Sequence, residues 1–191
     1  MTRLALKEWA LAAEAAARGD MLVTLRKGGI REKEFLVQGE RFWLLPTYEH
    51  QNAEQTKPIW RRELDAVGAA RPADGQVPLR CLCQVHAAHA LEDERAVAAL
   101  APFHPWTPAY TQERLGWRPR KPLWAIVLRA YALAEPFWID ADPAYGGCRS
   151  WVELAVEPPE DALVPALTDE AFGLHAARVD EALRNALRAP A

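Results

Sequence analysis

Residues 25–51 read LRKGGIREKEFLVQGERFWLLPTYEHQ. Arg26, Lys27 and Arg31 flank a Gly-Gly pair. Glycine lets a backbone approach a phosphate, whose oxygens then accept from neighbouring amide hydrogens. No Gly-Lys-Ser/Thr follows, so this is not a P-loop. The stretch reads as a solvated hairpin turn or as an anion contact. Tyr48-Glu49-His50-Gln51 comes just after Pro46, at a strand exit. A ring that can stack, set beside groups that can read a base edge, is what a base-binding cleft needs. Two other readings stand beside that one. Tyr48 packs while His50 caps a loop, or Glu49 and His50 form an acid–base pair, since His titrates near neutral pH.

Segment 104–129 carries Arg114, Arg118, Arg120, Lys121 and Arg129 against Glu113, with Trp106, Tyr110, Trp117 and Trp124 interleaved. Cations that track phosphates and rings that stack on bases make a single-strand binder, at ~1–3 kcal/mol per base. The other reading has the tryptophans pinning a Pro-rich loop onto the fold. Cys81, Cys83, His86 and His89 are close enough to test for zinc. On a strand, however, Cys81 and Cys83 point with Leu79 and Val85 into an apolar face, and His86 points away. Buried cysteine as a small hydrophobe is the expectation. Cys148 lies beside Arg149, yet no His is tied to it by sequence, so a Cys nucleophile is not assigned. The acid and Glu-x-Lys trio of a PD-(D/E)xK nuclease is absent at a working spacing. Neither a metal nor a cofactor is expected.

These residues need elements to hold them. The chain has 191 residues, half of them hydrophobic, and a formal charge of −3. That suits one domain, and it means a polyanion must meet a local patch, not net charge. Three cysteines argue against a disulfide framework. No run of about eighteen apolar residues exists, so no membrane span and a cytoplasmic location are expected. Residues 3–18 predict an Ala- and Leu-rich helix, and 21–26 a strand. Phe35–Val37 and Phe42–Leu45 predict a hairpin around Gln38-Gly39-Glu40, ended by Pro46. A helix follows over 57–69, a loop over 70–78, and a strand over 79–87. Next come a helix over 92–101 and a turn of helix around 108–115. A strand over 123–133, apolar on both faces apart from Arg129, suits a covered central position. Short strands at 137–140 and 151–156 flank a turn at 144–150. A Pro-rich linker over 157–165 leads to a helix over 168–188, capped by Thr168. Without regular β–α alternation, a mixed sheet or small pseudobarrel fits better than a doubly wound sheet.

The segments ALKEWA (5–10), LRKGGI (25–30), FWLLPTYEHQ (42–51), KPLWAIVLRAYAL (121–133) and GGCRSWVEL (146–154) resemble a bacterial family of unknown function numbered 1802. Residues 82–137 resemble, at the level of fold, the second half of PUA-like proteins of the ASCH and EVE branches. The strand ending in LRK and the one carrying FWLLPTY fit the first half. The Gly-x-Lys-x-x-Glu-x-Arg pattern of the ASCH branch is absent; only Leu25-Arg26-Lys27 stands near its place. The PUA-like resemblance implies an α+β mixed pseudobarrel with flanking N- and C-terminal helices, and a cleft for RNA or modified bases. The expected layout is one domain over 1–157, with 158–191 as linker and packed helix. The expected function is binding of nucleic acid or a modified base. Tyr48, Trp106 and Trp117 would stack; Arg26, Lys27, Arg31, Arg114 and Arg118 would hold phosphates; Glu49, His50 and Gln51 would read a base edge. No catalytic residue is assigned. The alternatives are a metal-dependent nuclease or other nucleic-acid-processing enzyme, and a structural or partner-binding protein that uses its C-terminal helix as a dimer or docking surface.

Overall fold

Residues 3–18 are not one helix. In the computed structural model, which describes residues 2–27, 35–72 and 75–188, Leu4–Trp9 is a strand (β1) and only Ala10–Ala17 is helical (α1). The composition favours helix, but propensities differ by only ~0.7 kcal/mol per residue at most among ordinary residues. Strand β1 has ladder partners on both sides. It runs parallel to β3 (Arg41–Thr47), with Leu6 opposite Leu44, and antiparallel to β6 (Trp151–Glu153), with Ala5 opposite Val152. Satisfied backbone groups on two edges decide the conformation. Helix α1 is buried on all sides except at Glu14. Its alanines are small enough to fit there.

Among the described residues the sheet has seven strands. Their order is β2 (Val23–Arg26), β5 (Leu123–Asp140), β4 (Gln76–Leu91), β3, β1, β6, and β7 (Val164–Pro165) pairs with β5. The β1–β3 pair is parallel and the other pairs are antiparallel. Two strands run longer than expected: 79–87 grows into the 16-residue β4, and 123–133 fuses with 137–140 into the 18-residue β5. The β4–β5 register shifts between Leu79 and Cys81 and again between Val85 and Ala87. Such irregularities raise the local twist, and the sheet curls into a half-barrel. The first shift also corrects the face assignment. Leu79 packs with Leu82 and Trp43 in one core, whereas Cys81 and Cys83 join the main core with Leu44 and Ala125.

The expected hairpin is absent. Residues 35–37 form no strand, and β3 pairs instead with β1 and β4. Phe35 is buried and stacks on Trp151 at 5.7 Å. Pro46 does not end β3. The β4 pairing has already stopped at Trp43, so on that side no ladder partner waits for the missing donor. The strand expected over 151–156 is also short, ending at Glu153.

Four more helices flank the sheet among the described residues. A 3₁₀ turn at Pro58–Trp60 enters α2 (Arg61–Ala69). Asp93 caps α3 (Glu94–Ala99), and Thr107 caps α4 (Pro108–Gly116), which starts on Pro108. Thr168 Oγ1 accepts from the Ala171 amide at 3.2 Å and caps α5 (Asp169–Arg188). Phe172, Ala176, Val179 and Leu183 place one stripe of α5 in the main core. The fold is α+β, a mixed curled sheet with helices at both ends of the chain. No helix among the described residues is long and apolar enough to cross a membrane.

Candidate functional site

Strand β2 delivers Arg26 and Lys27 to the C-terminal end of α4. Lys27 is buried, and its Nζ donates to the Leu115 carbonyl. Carbonyls in a helix's last turn lack intrahelical partners and carry the negative end of the dipole, so an ammonium belongs there. Burial, then the neighbouring Arg114, lowers the Lys27 pKa. Lys27 is therefore a structural contact that holds α4 to the sheet, which corrects its assignment as a phosphate ligand. Beyond it, Trp117 is half-buried with two guanidinium groups over its ring, Arg114 at 5.0 Å and Arg118 at 4.5 Å. Arg118 holds a left-handed φ of 53°, a conformation that is uncommon for a residue with a Cβ.

Arg26 points inward. Its guanidinium is 3.6 Å from the buried Glu8 carboxylate and lies over the Phe35 ring. Glu8 also accepts from the Thr24 hydroxyl and from the Trp9 amide. Arg26 is thus matched by an internal charge. Glu8 and Thr24 were not picked out from the sequence. As part of β1, Glu8 is buried and faces inward. Arg31, Gly28 and Gly29 lie outside the described residues.

The Tyr48–Gln51 segment divides. Gln51 Oε1 accepts from the Leu11 amide at 3.3 Å, satisfying one of the free donors that start α1. That is a capping role, not base reading. Glu49 pairs with Arg71 at 2.8 Å. Its own backbone amide, then Arg71, holds the carboxyl below the usual range, so it remains ionised. Arg71 also lies over the Tyr48 ring at 5.4 Å. His50 is exposed, with a φ of 69°. Among the described residues, the hydrogen-bond and ion-pair partner of Glu49 is Arg71, not His50.

Trp106 is 3% exposed, in the main core against Trp9, Tyr110 and His104. It pins the Pro-rich segment to the fold, and its assignment as a stacking platform is corrected. Of the other basic residues in that segment, Arg129 points elsewhere, pairing with Asp169 at the start of α5 and lying over Phe172. The structure therefore brings together Arg114, Trp117 and Arg118, with Lys27 behind them.

A cavity of 480 Å³ lies between α1, α2 and the β3–β4–β5 part of the sheet. Tyr48 lines it, and so do Glu14, Glu63, Arg80 and Trp138, which sequence reasoning missed. Glu63 looks like any charged residue on an amphipathic helix. Trp138 looked like part of a separate short strand. Only the approach of α1 to α2 makes them neighbours.

The chain belongs to the family described as a domain of unknown function (DUF1802), whose model matches residues 5–178. No curated protein matches it. Among solved structures it is similar to the ASCH protein of Zymomonas mobilis, at 14% identity and a TM-score of 0.45 over 91% of this chain and 93% of that one. It is similar also to a point mutant of that protein, at 15% identity and a TM-score of 0.44 over 91% and 94%. This family and the ASCH branch are the two that the sequence resembles.

Proposed function

We propose that this protein is a cytoplasmic binding module for nucleic acid or a modified base, with Arg114, Trp117 and Arg118 as its contact surface. The observation that supports this reading is the Trp117 ring carrying two guanidinium groups within 5.0 Å. A base that stacks on the indole exchanges a cation–π contact for a ring–ring contact. The displaced guanidiniums are then within reach of the phosphates on either side. Lys27 fixes the carbonyl end of α4, so the ring and both arginines are held before ligand arrives.

Fluorescence anisotropy of labelled single- and double-stranded RNA and DNA oligonucleotides at two salt concentrations tests the proposal. Saturable binding that weakens with salt is expected. Trp117→Ala is expected to cost ~1–3 kcal/mol, as removal of one stacking ring does. Arg118→Ala is expected to lower the salt slope by about one. An absence of saturable binding to every oligonucleotide at low salt overturns the reading.

A further inference from the structure

We propose that the 480 Å³ cavity between α1, α2 and the sheet is a separate site for a small uncharged aromatic compound. None of Lys27, Arg114, Trp117 and Arg118 lines it. Its volume lies within the ~300–1,000 Å³ of small-molecule sites.

The strands build the wall. Along a regular strand, alternate residues share a face. Leu44 and Pro46 of β3 keep that spacing, and so do Pro136 and Trp138 of β5. Strand β4 breaks it. Arg80 and Cys81 are consecutive, yet both line the cavity, because the β4–β5 register shifts between Leu79 and Cys81. An irregularity of this kind re-aims side chains and recurs beside functional sites. The helices opposite present short side chains, Ala10 and Ala13 of α1 and Ala66 of α2, so the space stays open.

The chemistry of that wall selects the ligand. Proline has no amide hydrogen, so Pro46, Pro78 and Pro136 bring no backbone donor. The charged side chains on the wall cancel, Arg18 and Arg80 against Glu14 and Glu63. Both arginines are already engaged. Arg80 donates to Glu14 at 2.6 Å and to the Leu133 carbonyl at 3.3 Å. Arg18 pairs with Asp20 at 2.8 Å. The Oε2 of Glu63 is fully buried, so that oxygen meets no visiting cation. A charged ligand would give up its hydration here and gain no free counter-charge; an uncharged ligand avoids that loss. Trp138 then favours a ring. It is 48% exposed although large and mostly apolar, and a flat ligand against the indole covers area that the fold leaves open.

Isothermal titration calorimetry with 2-naphthylmethanol tests this, with 2-naphthylmethylamine and 2-naphthoate as cationic and anionic counterparts of the same shape. Saturable 1:1 binding of the alcohol is expected, about tenfold or more tighter than of either ion. Trp138→Ala, a change at an exposed side chain, is expected to weaken the alcohol about fivefold or more. Ala66 is solvent-exposed, so Ala66→Trp tolerates folding while filling the space, and is expected to abolish binding. Arg118→Ala, which reports on the nucleic-acid surface, is expected to leave the affinity unchanged. Absence of saturable heat with the alcohol overturns the proposal. So does equal binding of either ion, or native affinity in Trp138→Ala or in folded Ala66→Trp.

Discussion

A histidine whose two ring nitrogens are buried, with no hydrogen-bond partner for either among the described residues, stays neutral in the folded state. This is His104, with its pKa pulled down to about 3 by burial first and then by nearby Lys57. Lys57 is itself lowered to about 8 by burial, while its Nζ donates to the Ala101 and His104 carbonyls. The sign for His104 follows from the proton count. Between pH 6.5 and about 3 the unfolded chain takes up a proton that the folded chain refuses. Stability is therefore full above pH 6.5 and falls with acidification through that window, by up to ~1.4 kcal/mol per pH unit. His104→Leu is expected to flatten this part of the acid dependence, checked by urea unfolding of both proteins from pH 4 to 7. The same neighbourhood explains Trp106. Its ring packs on His104 and Trp9 and so is not open to a base. Its residue type matched a binding surface, and only its burial removes it from one.

At the scale of elements, the boundary between β1 and α1 carries the most consequence. It turns Glu8 inward toward Thr24 and Arg26, and it puts the alanines of α1 on the cavity wall. Composition could not place that boundary, because ALKEWALAAEAAA has good helix formers throughout and the strand is stabilised by partners far along the chain. The end of α1 was legible. Gly19 follows with a φ of 79°, where glycine has no Cβ penalty. A Cβ there would come within 2.7 Å of the Leu167 side chain. Gly19→Ala is expected to destabilise the protein by about 1–2 kcal/mol, measured as a shift in the urea midpoint with unchanged slope. The segments around α4 and α5 were also legible, since Thr-Pro and Thr-Asp-Glu are local start signals that need no distant partner.

At the scale of the whole molecule, α5 belongs to the same core as β5 and α3. Phe172, Ala176, Val179 and Leu183 are buried in it, and Arg129 of β5 pairs with Asp169. We therefore expect one cooperative unfolding transition for the chain, followed by circular dichroism and tryptophan fluorescence together. A chain ending at residue 165 is expected to lose that transition, because it uncovers the main core. A folded truncated protein would instead make the C-terminal segment an appendage.

The local character of this protein was already present in its sequence: an α+β fold, a covered central strand at 123–133, buried cysteines, a capped C-terminal helix, and a basic and aromatic segment at 104–122. Each rests on neighbours within a few residues, through propensity, alternation or capping. Tertiary structure alone decided the rest. It settled which tryptophan is buried and which carries arginines, which cation faces a carbonyl or a carboxylate, and where α1 and α2 leave a space. Those outcomes depend on contacts between residues far apart in the chain, such as Lys27 with Leu115 and Arg80 with Glu14. Period and composition hold no record of such distances.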